Sequence, residues 1–251
     1  MVNTNLIYYK LMNDIYLNDL NAIDWETGEI IQDGYIPKQW LKTKDITMYY
    51  SGEYGGNIGA FKGVFDGNGY TVYGLYFTDS TEFGNDNGTA LFPKLLDRSA
   101  SHNEDPTAII KNLEIDYFHI NTQSWSCSLI GYEQWAHYEV SNCAIGKNVH
   151  LKGNSVSDIG TYGNAKLKIS NTYSLSNKIY TERCAFAAAH HWSSTIDAIK
   201  MDNCYNLNGP LTSSSASKKV NNCYHTDENS TIGTVVDKED MTGINALDNM
   251  P

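Results

Sequence analysis

A short motif recurs five times in the second half of the chain, and its spacing constrains the fold more than any other feature. Each copy has an apolar residue, a polar residue, an asparagine and a small or apolar residue, as in Val140-Ser141-Asn142-Cys143. A repeat of about 30 residues that is rich in strand formers predicts a chain that stacks on itself. The asparagines are 30, 29, 32 and 19 residues apart, at Asn112, Asn142, Asn171, Asn203 and Asn222.

A second motif repeats with the same period. Short apolar strands that end in Gly or Ala occupy residues 127–131, 156–160 and 184–188, and their starts are 29 and 28 residues apart. In the first motif, the alternation of inward-facing and outward-facing residues reverses at the asparagine. This reversal predicts a bend there, since Asn tolerates the left-handed backbone conformation. Asparagines aligned one repeat apart are also expected to hydrogen-bond to one another along the stack.

The composition excludes some partners and favours others. The chain has 18 Lys and Arg against 29 Asp and Glu, a net charge of −11, which argues against nucleic acid, because binding a polyanion requires a basic surface. The acidity is explained by solubility, with calcium binding by scattered carboxylates as the alternative. No segment reaches the roughly 18 consecutive apolar residues of a membrane span.

The abundance of Tyr, Trp, Asn, Ser, Thr and Gly indicates an extracellular bacterial β protein, secreted or at the cell surface. The N-terminal residues 1–5 have neither the basic start nor the apolar stretch of a signal peptide. A secreted protein with this sequence is therefore expected to have lost its signal, or to be one module of a longer chain.

The cysteines are odd in number, and three of them occupy the same place in the asparagine motif. Buried free thiols in a tight interior column are the favoured interpretation. Adjacent passes of a stacked chain lie about 4.8 Å apart, so a Cys204–Cys223 disulfide is the alternative. The absence of a CxxC pair gives no support to a zinc site of the usual spacing. The five cysteines are Cys127, Cys143, Cys184, Cys204 and Cys223.

The chain is predicted to be a single domain, 1–251. Residues 1–60 form an N-terminal strand and an irregular cap region, residues 61–235 the repeats, and residues 236–251 a C-terminal cap. The stretch 237–241 predicts a short capping helix. Caps are expected because the open end of a stacked chain exposes unpaired strand edges.

Several segments together resemble the GLUG-type repeats of right-handed parallel β-helices. They are Tyr9–Ile15, Phe61–Leu75 and Ile110–Leu113, and Asp240–Gly243 with Ala246 and Leu247 resembles the way such arrays close. The resemblance covers nearly the whole chain. It implies an all-β solenoid, a right-handed parallel β-helix with an irregular N-terminal cap and a short C-terminal helix. It also implies a secreted or surface module of gut or rumen bacteria.

The family resemblance is specific for the fold and leaves several functions open. Proteins of this kind serve as adhesins, carbohydrate-binding modules and scaffolds, while other β-helices are polysaccharide lyases or hydrolases. The function must therefore be inferred from a site.

An aromatic residue follows the Gly or Ala strand in four successive repeats, which predicts a ladder on one corner of the β-helix. Aromatic faces bind the apolar face of a sugar ring, and a rise of about 4.8 Å per pass is near the length of one sugar. The alternative is an ordinary corner cluster, which is favoured for Phe92 and Tyr162. The predicted sugar platforms are Trp135 and Trp192, with Tyr132, Tyr162 and His191 beside them and Gln134 and His137 bonding hydroxyls.

The predicted function is non-catalytic binding of a plant or host polysaccharide, with other modules of the parent polypeptide as further partners. The first alternative is an adhesin or structural spacer segment. The second is a polysaccharide hydrolase or lyase, which needs converging carboxylates. Glu133 and Asp158 are the acids considered, and the case for them is too weak to assign any catalytic residue or cofactor.

The polar loop 79–88 carries hard oxygen ligands, with Asp79, Glu82 and Asp86 as candidates for calcium. Their spacing departs from that of an EF-hand, and a solvated loop is the favoured interpretation. The adjacent His190 and His191 would face opposite ways on a strand, so at most one of them could bind a metal there.

Overall fold

The computed structural model describes residues 7–41, 61–80, 88–96, 108–134, 137–160, 162–163, 166–187, 190–191, 199–212 and 218–241. These residues are almost entirely strand, turn and irregular chain. The strands, in chain order, are β1 Tyr8–Lys10, β2 Ile15–Tyr16, β3 Gly63–Asp66, β4 Thr71–Tyr73, β5 Tyr76–Asp79, β6 Phe92–Leu96, β7 Ala108–Lys111, β8 Glu114–Asp116, β9 Phe118–Thr122, β10 Trp125–Gln134, β11 His137–Ser141, β12 Ala144–Ile145, β13 Val149–Ile159, β14 Tyr162–Gly163, β15 Lys166–Ser174, β16 Asn177–Ala187, β17 His190–His191, β18 Ile199–Asn206, β19 Lys218–His225 and β20 Thr234–Val235.

The strands form two large sheets and one small one. The first sheet has twelve strands and runs β1-β3-β7-β11-β15-β12-β8-β4-β2, with β18, β19 and β20 continuing from β15. The second has six strands and runs β5-β9-β13-β10-β6, with β16 on β13, and the third pairs β14 with β17. All pairings between these strands are parallel. The described chain is therefore all-β, and it returns repeatedly to the same two large sheets.

The register of the first sheet follows the sequence repeat. Val140 pairs with Ile110 on one side and Ile169 on the other, and Met201 pairs with both Ile169 and Val220. These residues occupy the first position of the asparagine motif in each copy. The structure thus confirms that residues one repeat apart lie side by side, as the spacing predicts.

The motif asparagines are at the bends and form a continuous ladder. All five have positive φ, between 47° and 55°. From Asn142 onward, each side-chain amide donates to the side-chain oxygen of the asparagine one pass earlier, over 3.0 to 3.3 Å. Both predictions for these asparagines, the left-handed backbone and the mutual hydrogen bonds, are confirmed.

Asp66 ends the ladder on the N-terminal side. Its Oδ1 accepts a hydrogen bond from Asn112 over 3.0 Å and another from the backbone amide of Asn68. Its Oδ2 accepts from the hydroxyl of Tyr8 and lies 3.7 Å from Nζ of Lys111. These donors favour the charged carboxylate, and the hydroxyl of Tyr8 above all lowers the pKa of Asp66 to about 2.

We expect the Asp66 carboxylate to make folding acid-sensitive. An unfolded Asp has a pKa of about 4, so the stability that this group adds is complete above pH ~4 and is lost as the pH falls towards the folded-state pKa of about 2. Urea unfolding between pH 2 and pH 5 should show a steeper loss of the free energy of unfolding in the wild type than in Asp66→Asn. Equal slopes in the two proteins would contradict this role.

One column of interior side chains in the first sheet changes from apolar to polar along the stack. One inward column runs in register through Val72, Ile115 and Ile145 and then through Ser174 and Asn206. All five side chains are buried. The same lateral position therefore changes from aliphatic to hydrogen-bonding residues along the stack.

The cysteines are buried in this interior and are free, which confirms the favoured interpretation. Cys204 and Cys223 are register neighbours, and each thiol donates to a backbone carbonyl two residues earlier, over 3.2 and 3.0 Å. Burial raises the pKa of Cys143 to about 12 and that of Cys184 to about 11. These two thiols are therefore protonated and unreactive at neutral pH.

The N-terminal segment 17–41 has no named strand and packs on the outside of the second sheet. Ala22, Ile23 and Trp25 form a small buried cluster with Tyr76. At the other end, a 3-10 helix, Lys238–Met241, lies within the stretch where the sequence predicts a short helix. Among the described residues, no helix has the length and apolar character needed to cross a membrane.

Candidate functional site

The predicted aromatic corner can be traced only in part. Trp135 and Trp192 lie outside the described residues, as do the side chains of Tyr132, Gln134, Tyr162 and His191. The backbone of this region pairs Tyr132 with Lys94 and Gly163 with His191. His137 is described and half-buried, at the start of β11 beside Lys166. The sugar-platform hypothesis for this corner stays a prediction.

Of the acids and metal candidates named from the sequence, the structure describes the side chains of Asp79 and Asp158. Asp158 is fully buried and lies 2.7 Å from Nζ of Lys178, so it is out of reach of a polysaccharide. The side chain of Glu133 is outside the described residues, and so are Glu82 and Asp86. Asp79 is the last residue of β5. The described part of the chain contains no group of three His, Cys, Asp or Glu side chains suited to a metal.

A long groove lies on the outer face of the second sheet. It consists of two adjoining cavities of about 770 and 640 Å³. Asn121, Lys152 and Ile179 line both cavities, so the two are parts of one groove. These three side chains come from three consecutive passes.

Two outward columns of side chains form the floor of the groove. Register places His119, His150 and Asn177 side by side in one column, which Tyr76 continues beneath the N-terminal segment, outside both cavities. The parallel column two residues further along each strand consists of Thr78, Asn121, Lys152 and Ile179. Adjacent strands lie about 4.8 Å apart, so the groove presents similar polar groups at a regular interval.

The N-terminal segment forms one wall. A turn at residues 24–28 covers His119, whose Nδ1 donates to the carbonyl of Trp25 over 3.2 Å. Gly28 has φ +78°, and a Cβ there would lie 2.3 Å from Nε2 of His119. Gly28 is thus needed both for its backbone conformation and for the close approach of the wall to the floor. Glu26 and Thr27 line the cavity from this wall.

The electrostatics of the floor favour a neutral, hydrogen-bonding ligand. Burial lowers the pKa of both His119 and His150 below the ordinary value. Both imidazoles are therefore neutral at pH 7. His119 already donates its Nδ1 proton to Trp25, whereas a neutral His150 can donate one hydrogen bond and accept one. The amides of Asn121 and Asn177 add further donors and acceptors, and the exposed Lys152 is a cation between the two cavities.

The far end of the groove is less polar. Ile179 and Tyr180 on β16 are 64% and 51% exposed. Asp79 and Glu182 line the same cavity as these two residues. A tyrosine ring on an otherwise amide-rich surface provides an apolar face against which a ring-shaped ligand can pack.

Sequence reasoning missed this groove because it followed the aromatic residues at the corner. A signal was nevertheless present: the outward positions His119 and Asn121 recur as His150 and Lys152, and again as Asn177 and Ile179. Strand alternation puts each pair on one face, and the repeat brings the pairs together.

No protein-family model, curated protein or solved structure matches this chain. The groove is therefore interpreted from its own chemistry. Its amides, neutral imidazoles and exposed tyrosine are the groups that bind hydroxyl-rich ligands.

Proposed function

We propose that this protein is a non-catalytic polysaccharide-binding module and that the groove on the second sheet is its binding surface. The observation that carries the proposal is the pair of in-register outward columns. They repeat hydrogen-bonding groups along the stack at about 4.8 Å, close to the advance of a sugar chain. A surface held by paired strands is preformed, so little conformational entropy is lost on binding.

The individual residues have distinct roles in this proposal. Tyr180 supplies a ring that packs against a pyranose face, and Ile179 extends that apolar surface. Asn121, His150 and Lys152 hydrogen-bond the sugar hydroxyls. The corner formed by Trp135 and Trp192, with Tyr132, Tyr162, His191, Gln134 and His137, is proposed as a further binding platform.

We also propose that the fold is a right-handed parallel β-helix of GLUG-type repeats. The parallel registers, the period near 30 residues and the left-handed asparagines at the bends support this proposal. A module of a secreted or surface protein of gut or rumen bacteria, joined to other modules, accords with the composition. Calcium bound at Asp79, Glu82 and Asp86 is a secondary proposal.

Two other functions have an observation in their favour. The unbroken ladder from Asp66 to Asn222 suits a stiff spacer or adhesin segment. Asp79 and Glu182, which line one cavity of the groove, suit a polysaccharide hydrolase. Each alternative leads to a different result in a single set of binding and product assays.

We expect Tyr180→Ala to weaken glycan binding by about two- to twelvefold, since an aromatic contact contributes about 0.5–1.5 kcal/mol. Affinity gel electrophoresis against plant and host polysaccharides measures the retardation. Tyr16→Ala is the matched control, because Tyr16 is also exposed, at 61%, but lies in the first sheet outside the groove. If a polysaccharide retarded the wild type and Tyr180→Ala equally, Tyr180 would not be part of the binding surface.

The same samples test the alternatives. Reducing-sugar and unsaturated-product assays detect catalysis. If the wild type released product and Asp79→Asn or Glu182→Gln did not, the protein would be an enzyme and the binding proposal would be wrong. Trp135→Ala tests the corner separately from the groove. If no polysaccharide in the panel retarded the protein or released product, the spacer or adhesin function would replace the binding proposal.

A further inference from the structure

A lysine occupies an apolar position inside the stack. The inward column of the second sheet runs through Phe77, Ile120 and Leu151, and the next residue in register is Lys178. The lysine side chain is only 1% exposed. Burial of an ammonium group requires compensating partners, so its surroundings must contain a counter-charge.

Lys178 lies between a carboxylate and a primary amide. Its Nζ is 2.7 Å from Oδ2 of Asp158 and 3.1 Å from Oδ1 of Asn206. The other carboxylate oxygen of Asp158 accepts hydrogen bonds from Ser128 and Ser176, over 2.9 and 2.8 Å. Asp158, Asn206 and both serines are completely buried, so bulk water does not reach these three reactive groups.

The amide of Asn206 is held in one orientation. Its Nδ2 is directed at the backbone carbonyls of the following turn, at 3.4 Å from Asn208, 2.9 Å from Gly209 and 3.0 Å from Pro210. This fixes Oδ1, and with it the amide carbon, towards Lys178. The same three carbonyl oxygens stabilise positive charge on that nitrogen if it becomes protonated.

We propose that Lys178 and Asn206 join in an intramolecular isopeptide bond, with Asp158 as the proton carrier. A buried amine, an adjacent carboxylate and a fixed amide are the components this reaction needs, and no oxidant or further reactant takes part. The bond would connect β16 to β18 across the interior. This inference is independent of glycan binding, because it involves none of the groove's proposed ligand contacts.

The reaction forms one C–N bond and releases the amide nitrogen of Asn206 as ammonium. Asp158 takes one proton from the Lys178 ammonium, and the neutral Nζ attacks Cγ of Asn206 to form the new C–N bond. The bond from Cγ to Nδ2 breaks, and the second proton lost by Nζ passes through Asp158 to Nδ2, which leaves as ammonia. Ammonia then takes the remaining proton from Asp158 and departs as ammonium, and the carboxylate is regenerated.

Position and desolvation both favour the reaction. Reactants held in contact by a fold react as if at very high concentration, and removal of water makes a lysine amine a better nucleophile. The serine hydroxyls on Asp158 keep its second oxygen occupied, so Oδ2 faces the amine throughout.

Intact-mass spectrometry of the denatured full chain tests the proposal. The expected wild-type mass is that of the sequence less one ammonia, and a protease digest should contain one cross-linked product that joins the peptides of Lys178 and Asn206. A full sequence mass would overturn the proposal. A missing ammonia without that cross-linked product, as from a cyclised Asn-Gly pair such as Asn208-Gly209, would overturn it as well.

Variants identify the role of each residue. Lys178→Arg and Asp158→Asn should show the full sequence mass, and Asn206→Asp should lose water in place of ammonia if its carboxyl condenses with the amine. Lys200→Arg, on an exposed lysine of β18, should keep the ammonia deficit. A deficit that persists in Lys178→Arg would contradict the assignment, and the wild-type digest stays decisive for any variant that fails to fold.

Discussion

Lys178→Met is expected to lower the free energy of unfolding by about 3–5 kcal/mol, the usual result of removing one partner of a buried ion pair. The variant keeps a side chain of similar length but leaves the Asp158 carboxylate buried without its counter-charge. In a chain that carries the bond to Asn206, Lys178 is an uncharged amide, so the variant removes that cross-link in place of the ion pair. Urea denaturation near pH 7, followed by circular dichroism, measures the change.

Two further variants show whether the charge is responsible. Lys200→Met removes an exposed lysine of β18 and should change stability by no more than about 0.5 kcal/mol. Adding Asp158→Leu to Lys178→Met removes the orphaned carboxylate and should recover part of the loss. Equal urea midpoints for Lys178→Met and Lys200→Met would show that the buried pair does not contribute to stability.

Asn171→Val is expected to destabilise the fold by about 2–5 kcal/mol. Asn171 has φ +48°, a conformation that costs a residue with a β-branched side chain about 1–2 kcal/mol. The change also removes the hydrogen bonds to Asn142 and Asn203, each contributing about 0.5–1.5 kcal/mol. Thermal and urea unfolding of the purified variant measure the loss.

Asn171→Gly separates the two contributions. Glycine adopts positive φ without steric cost, so this variant loses only the ladder bonds and should be less destabilised than Asn171→Val. If both variants were equally unstable, backbone conformation would not be the reason for asparagine at this bend. If neither were destabilised, the ladder itself would have no measurable energetic role.

The repeat could be predicted from the sequence because its signals are local. In each copy of the motif, the asparagine that follows an apolar and a polar residue has the left-handed conformation of a bend, and the distance between bends sets which residues become neighbours. The structure confirms this at Asn112, Asn142 and Asn171, in both φ and side-chain hydrogen bonds. The burial of the cysteines that follow the asparagines was predictable for the same reason.

The groove and the buried lysine were not predictable in the same way. His119 and Lys152 are ordinary polar residues of strands, and only the turn at residues 24–28 makes a wall beside them. Lys178 stands in a polar stretch of sequence, and its inward orientation follows from the register of β16 with β13. A single-residue shift would have put this lysine in solvent.

The sequence by itself determined the strand content, the bends, the period and the burial of the cysteines, because backbone preference and alternation depend on a few neighbouring residues. Only the tertiary structure decided that Lys178, Asp158 and Asn206 meet in the interior and that four passes align their outer side chains into a groove. Those contacts join residues many positions apart. They depend on the register between passes and on the packing of the N-terminal segment, which no local pattern specifies.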